Sequence, residues 1–420
     1  MRRTLVLPVL LATLAGGSPR AVAGTPAPPL PLTRPSHASG APAPVDLVAR
    51  QDPDQAFVDA VQGLHRIPGL FTLYRSADDG RVLMEIAEDQ LDRTFLLAAT
   101  LDRGTGERGV YGSHFMVDYP FMLRRAGHAI QMIRCNTRFT AAERTPQARG
   151  ILRSFTDAIV GSARIQVGPR PPRRSVLIDA SELFVADLPG LTQDLSRAYE
   201  PTVYRFDRPG SVIGSIQNFP ENTLVRVRLH FTTDNPRASS MTLPDRRSVP
   251  LSVAYDLFLI RQNGYRPRRA DDRIGHFFAV QQDFTSDTPA TTYRRHIARW
   301  HLEKADPSAP LSAPKQPIVF WLENTIPLKY RNAIRDGVLM WNAAFERIGF
   351  ENAIEVRQQP DDADWDPADV RYNTIRWFNT TDAVFAIGPS DSNPFSGQLF
   401  NADIAFSEGM TRMIRREHTE

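Results

Sequence analysis

Residues 224–231 read Leu-Val-Arg-Val-Arg-Leu-His-Phe, and that strict alternation constrains the fold more than any other stretch. Successive side chains of a strand point to opposite faces, so Val225, Val227 and Leu229 share one face and Arg226, Arg228 and His230 the other. A strand of this kind belongs in a sheet with one packed and one solvated face, the antiparallel habit. Further β-prone runs occur at 95–100, 129–135 and 175–180. Two more flank Asp79-Gly80 within residues 69–86, the dipeptide of a tight hairpin. Short helices are expected at 146–160 and 190–199, and no segment repeats at a fixed period.

The pattern changes after residue 306. Residues 307–317 hold four prolines and read as a linker. Residues 317–324 read as a buried strand. Tyr330, Ile334, Val338, Trp341, Phe345 and Ile348 then fall at steps of 4, 4, 3, 4 and 3, the apolar stripe of one long helix over 327–348, with Gly349 as its cap. Strands are expected at 353–358 and 370–378. Strand, helix, strand, strand is an α/β arrangement. The expected fold is therefore α+β: a β-rich domain at 54–306, a linker at 307–316, and an α/β piece at 317–420.

Met1-Arg2-Arg3, the apolar run 5–14 and Ala21-Val22-Ala23 make residues 1–23 read as a signal peptide. An exported protein is expected, periplasmic or secreted. No cysteine stands at the cleavage point, so a lipoprotein is not. Residues 24–53 read as a Pro/Ala-rich disordered leader. No later stretch approaches the roughly 20 apolar residues of a membrane span. Fifty Lys+Arg oppose 47 Asp+Glu, and the basic residues are scattered, so no nucleic-acid partner is expected.

Cys135 is the only cysteine, which excludes an internal disulfide and multi-cysteine metal sites. Of the nine histidines, His296 and His301 are the only close pair, and their spacing sends them to different faces of a helix or strand. His37 lies in the leader. His65, His114, His128, His230 and His276 are isolated, and His418 follows Glu417 without a zinc-hydrolase pattern. No G-x-S-x-G elbow and no glycine-rich phosphate loop occurs. The acidic run 361–370 lacks the ligand order of an EF-hand and reads as a solvated loop. Spacing alone designates no catalytic residue and no metal ligand.

Longer strings carry a resemblance. RSVPLSVAYDLFLI, YRPRRADDRIGHF, RRHIARWHLEK, KQPIVFWLENTIPLKYRNAIRDGVLMWNAAFERIGFENAIEVRQQP and ADVRYNTIRW, in that order, resemble a bacterial family of exported zinc-dependent metalloproteases. GLFTLYR, QLDRTFLLAATLDRGTGERG and SVLIDASELF resemble its β-rich front domain, whose role is unknown. The resemblance runs from about residue 54 to 407. It implies that residues 317–420 form the upper half of a metzincin-like protease domain, a twisted mixed sheet backed by a long helix. It further implies that Ala383, Val384, Phe385, Ala386 and Ile387 form an antiparallel edge strand that pairs with a peptide or protein substrate.

In that family the next element is a helix bearing H-E-x-x-H-x-x-G-x-x-H, whose histidines bind zinc and whose Glu is the general base. None of those residues is among these 420. The expectation is a metallopeptidase by resemblance, truncated before its zinc motif, binding no zinc and inactive as written. The alternative is a non-catalytic envelope-binding or scaffold protein.

Overall fold

The computed structural model describes residues 53–419, apart from 170, 172, 289 and 290. The expected signal peptide at 1–23 and all but the last residue of the leader at 24–53 lie outside the described residues. The chain begins with α1 (Pro53–Val61), β1 (His65–Ile67), β2 (Thr72–Arg75) and β3 (Val82–Ile86). Between β2 and β3 lies the expected turn: Gly80 has φ +72°, and Asp79 Oδ1 accepts the Arg81 N–H at 3.0 Å. β4 (Thr94–Arg103), β5 (His114–Ala126), β6 (Ala129–Arg134) and β7 (Phe139–Thr140) follow.

Thr145 caps α2 (Pro146–Ser154) by accepting the Ala148 N–H, and Pro146 fits the first turn because its missing N–H would have no partner there. Next come β8 (Ala158–Val167), β9 (Val176–Asp179), α3 (Ser181–Phe184) and α4 (Leu191–Ala198). Long strands β10 (Arg205–Asn218), β11 (Asn222–Thr232) and β12 (Ser248–Leu259) precede the shorter β13 (Phe278–Asp283) and β14 (Tyr293–Ile297).

Eleven of these strands form one sheet, ordered β1-β2-β3-β9-β8-β6-β5-β4-β12-β11-β10, with every neighbouring pair antiparallel. β14, β13 and β7 make a separate three-stranded sheet. The alternation that marked 224–231 sets the packing. Val225, Val227, Leu229 and Phe231 enter the main core with Val249, Leu251, Val253 and Tyr255 of β12. Each such side chain contributes about 1.5–3 kcal/mol by leaving water. Arg226, Arg228 and His230 take the other face, as the period of two requires.

The remaining chain runs β15 (Ile318–Leu322), α5 (Leu328–Leu339), α6 (Asn342–Glu346), β16 (Ile354–Gln358) and β17 (Asn373–Phe378). It ends with β18 (Ala386–Ile387), β19 (Ser390–Ser392), β20 (Leu399–Ala402), β21 (Ile404–Ser407) and α7 (Glu408–Glu417). A second sheet has the order β16-β15-β17-β21-β18 and its own apolar core of Ile318, Phe320, Leu322, Ile326, Ile354, Ile375 and Trp377. The α+β expectation matches this arrangement. No helix among the described residues is long and apolar enough to cross a membrane.

Two local expectations are corrected. The helix expected over 327–348 is two helices, broken at Met340 and Trp341. There the Trp341 N–H donates to Val338 O at 3.2 Å and the Ala344 N–H to Trp341 O at 2.9 Å. These i to i+3 bonds tighten the turn and rotate everything beyond it. Asn342 then faces β16, donating from Nδ2 to Ile354 O and accepting the Ile354 N–H on Oδ1. Trp341 and Ile348 are turned outward, 64% and 67% exposed, while Tyr330, Ile334, Val338 and Phe345 keep to the core.

The acidic run is not all solvated. Asp361, Asp362 and Asp364 are exposed, but Asp366 and Asp369 are buried against the eleven-stranded sheet. Arg226 pairs with Asp366, and Asn222 Nδ2 donates to Asp369 at 3.0 Å. Each carboxylate has met a donor that replaces its water.

Residues 307–316 fold back onto the α6–β16 connection, where the Ser312 N–H donates to Gly349 O and Ser312 O accepts the Glu351 N–H. β21 lies between β17 and β18.

Candidate functional site

The five-stranded sheet is parallel except at one border. β15 pairs with β16 and β17, and β17 with β21, all in parallel, whereas β18 pairs antiparallel with β21. Its register is Ala386 opposite Phe406 and Ile387 opposite Ala405, and the Ser407 N–H donates to Phe385 O at 3.1 Å. In an antiparallel pair, residues turn their backbone groups toward and away from the partner alternately. Phe385 and Ile387 therefore address β21, and Ala386 presents its N–H and C=O outward. Among the described residues no strand covers that side.

The structure narrows the expected strand. Only Ala386 and Ile387 are in strand conformation, while Val384, Phe385 and Ile387 are exposed. Ala383 is a correction: it is 3% exposed and packs with Tyr111, Phe378 and Ala405 rather than lying on the border. Its burial follows from its neighbour Asp382, which the eleven-stranded sheet grips. The Arg108 N–H and the Tyr111 hydroxyl donate to Asp382 at 2.7 and 2.9 Å, and the Thr381 N–H donates to Gly106 O. Burial alone would raise the Asp382 pKa, but the hydrogen bonds from Arg108, Tyr111 and Thr380 outweigh it and hold the carboxyl below its usual range. The border strand thus hangs from a fixed point on the other sheet.

Behind the border lies a buried polar group. Arg376 is 3% exposed and donates from Nε to Thr374 Oγ1 at 2.8 Å and from a terminal nitrogen to Asp403 at 2.6 Å and to Pro367 O. Asp403 Oδ1 also accepts the Thr374 N–H at 2.9 Å. Burial raises the Asp403 pKa and Arg376 opposes that rise. Glu323, at the end of β15, accepts from the Thr325 hydroxyl and is raised by burial.

A cleft of about 440 Å³ opens between α5, α7 and the sheet, lined by Tyr330, Ile334, Trp341, Trp377, Phe406 and Met410. It is mostly apolar, which explains why Trp341 is exposed and yet borders hydrophobic surface.

The histidines weighed in the sequence are dispersed. His296, on β14, has Nδ1 3.2 Å from Phe395 O, whereas His301 sits edge-on to Tyr265. Burial lowers the pKa of His114 on β5. Among the described residues, no three His, Cys, Asp or Glu side chains converge in a way that could hold a metal ion. The described residues do not fit the zinc that the resemblance implies.

Residues 121–305 match a family model described as a domain of unknown function, DUF5117. The match begins within β5, ends just after β14, and covers less than half of the chain. No curated protein and no solved structure matches the sequence.

Proposed function

We propose that residues 317–420 bind an extended polypeptide along β18, as the upper half of a metzincin-like metallopeptidase domain would. The observation that carries this reading is the single antiparallel strand at the border of an otherwise parallel sheet, with Ala386 turned outward. An outward N–H and C=O in extended backbone form a ready template for a further strand, and exposed Val384, Phe385 and Ile387 give the added chain apolar contacts. Main-chain pairing supplies affinity without strong demands on sequence, which suits a peptidase. Cleavage itself needs the zinc-binding residues of that family, which these 420 do not include.

The test uses fluorescein-labelled β-casein, which is extended in solution, as the probe. Ala386→Pro removes the outward N–H and leaves the bonds to β21 in place. Binding read by fluorescence anisotropy is expected to weaken by about tenfold or more, roughly 1.4 kcal/mol. Equal affinity of the wild type and the folded variant would sink the reading. The peptidase part is tested separately, by joining a family-type segment with its three histidines and glutamate after Glu420 and assaying chelator-sensitive cleavage.

A further inference from the structure

On the solvated face of the eleven-stranded sheet, far along the chain from β18, three side chains from three adjacent strands meet. Asp207 on β10 lies directly opposite His230 on β11, and Ser248 begins β12 one diagonal step away, opposite Thr232. His230 Nδ1 is 2.7 Å from Asp207 Oδ2, and its Nε2 is 2.8 Å from Ser248 Oγ. A carboxylate only accepts hydrogen bonds, so in the neutral imidazole Nδ1 donates to Asp207 and Nε2 is the nitrogen that accepts from Ser248 Oγ. This is the order of contacts that activates a serine hydroxyl, and such a relay is defined by geometry and not by position in sequence.

The surroundings fix the arrangement. β10 carries an irregularity between Asp207 and Val212, and Ser211 folds back so that its Oγ accepts the His230 N–H at 2.9 Å and donates to Asp207 O at 2.7 Å. Arg208 anchors the same bulge by donating to Ser181 O at 2.9 Å and to Val185 O. Gly210 sits where a Cβ would fall 2.5 Å from both Asp207 Oδ2 and His230 Nδ1, so the ring and carboxylate occupy space that only glycine leaves open. The His230 and Asp207 side chains keep 23% and 30% of their surface in solvent, so the site is reachable.

Arg228 lies two residues from His230 on the same face, is exposed, and has no ion pair among the described residues. Arg205, in the row of Ser248, is also exposed, although it pairs with Asp234.

We propose that Asp207, His230 and Ser248 form a nucleophilic relay that hydrolyses small carboxylic esters, with preference for esters bearing an anionic group that Arg228 attracts. Ser248 Oγ attacks the ester carbonyl carbon as its proton passes to His230 Nε2. The tetrahedral adduct collapses, the carbon–alkoxy bond breaks, and the leaving alcohol takes that proton. A water molecule then gives a proton to Nε2 and its oxygen to the acyl carbon. The acid departs, and Ser248 Oγ recovers its proton from His230. No group beyond ester and water is consumed. Nothing in this step involves β18, and the inference stands apart from the peptide-binding reading.

The probe is an alkyl fluorophosphonate, which phosphonylates an activated serine with loss of fluoride, read by peptide mass spectrometry on the full chain. The expected result is an adduct on Ser248 that falls by at least tenfold in His230→Gln and in Asp207→Asn. Hydrolysis of 4-nitrophenyl acetate is expected to disappear in Ser248→Ala purified identically. The 4-nitrophenyl half-ester of adipic acid should be cleaved faster than the acetate, with the ratio falling in Arg228→Ala. Absence of a Ser248 adduct in the wild type overturns the proposal, whether or not the variants fold. Labelling that persists unchanged in folded His230→Gln overturns it as well, because a purely structural cluster would not couple the two. A wild-type preference for the acetate overturns the assignment to Arg228.

Discussion

Asp256 and Asp369 are held by one amide nitrogen, Nδ2 of Asn222, which lies 3.1 Å from both Asp256 oxygens and 3.0 Å from Asp369 Oδ1. Asp256 belongs to β12 of the large sheet, and Asp369 to the loop before β17 of the small one. Both are buried. Arg371 donates to both oxygens of Asp369, whereas Asp256 receives, among the described residues, Asn222 and the Val370 N–H at 2.7 Å. The two sheets are therefore joined by a polar contact whose two acids have unequal compensation.

Replacing Asn222 with Ala leaves two buried acids with fewer donors. Loss of a hydrogen bond to the charged Asp369 costs about 1.5–3 kcal/mol and to the protonated Asp256 about 1 kcal/mol, so a total of roughly 3 kcal/mol is expected. The check is the urea midpoint at pH 7, where an unchanged slope assigns the shift to stability. A midpoint within error of the wild type would show that water enters and replaces the amide.

Asp256 gives a pH dependence of defined sign. Burial, and next the charge of Asp369, raise its pKa well above the ordinary value. The folded state then holds a proton that the unfolded chain releases near pH 4. Stability from this group is fully present below that pH and is lost as pH rises through the folded pKa. In Asp256→Asn the side chain keeps its shape and can no longer ionise. The stability of the variant relative to wild type is expected to increase as pH rises from about 4 and to level off once pH passes the folded pKa. A constant difference in urea midpoints over that range would contradict the assignment.

Two tryptophans make opposite predictions. Trp377 is 7% exposed and stacks on Tyr330 with ring centroids 5.3 Å apart, so Trp377→Ala should cost about 3–5 kcal/mol. Trp341 belongs to the same periodic stripe, yet its exposure reduces the expected cost of Trp341→Ala to about 1 kcal/mol or less. Thermal or urea unfolding of the two variants distinguishes them. Equal losses would mean that the helix break does not persist in solution.

That contrast shows what periodicity conveys. Alternation at 224–231 found β11 and its buried face because the strand is regular and its register is uninterrupted against β12. The 327–348 stripe found a helix but not its break, since Asn342 turns the chain through a hydrogen bond to β16, distant in sequence. The acidic run looked solvated for a similar reason, its donors being Asn222 and Arg226 of another sheet. The border strand Ala386–Ile387 has no periodic signal of its own, and the hold on Asp382 by Arg108 and Tyr111 was not legible at all. Asp207, His230 and Ser248 carry no motif because sheet pairing, and not local spacing, assembles them.

The Arg376–Asp403 pair supports the last prediction. Arg376→Met removes the buried guanidinium that pairs with the half-buried Asp403, leaving that carboxylate with the Thr374 N–H and hydroxyl. Breaking a fully buried pair from one side costs about 3–5 kcal/mol, and because Asp403 keeps some solvent the expected cost here is about 2–3 kcal/mol. Asp403→Asn in the same chain removes that charge while its Oδ1 still accepts the Thr374 N–H and hydroxyl. The double variant should therefore recover at least half of the loss, with coupling of about 1–3 kcal/mol in a double-mutant cycle. Because Asp403 precedes β21, the strand on which β18 hangs, Arg376→Met should also weaken casein binding, and the double variant should restore it. Additive losses in the cycle would mean that the two side chains act independently, contrary to the 2.6 Å contact between them.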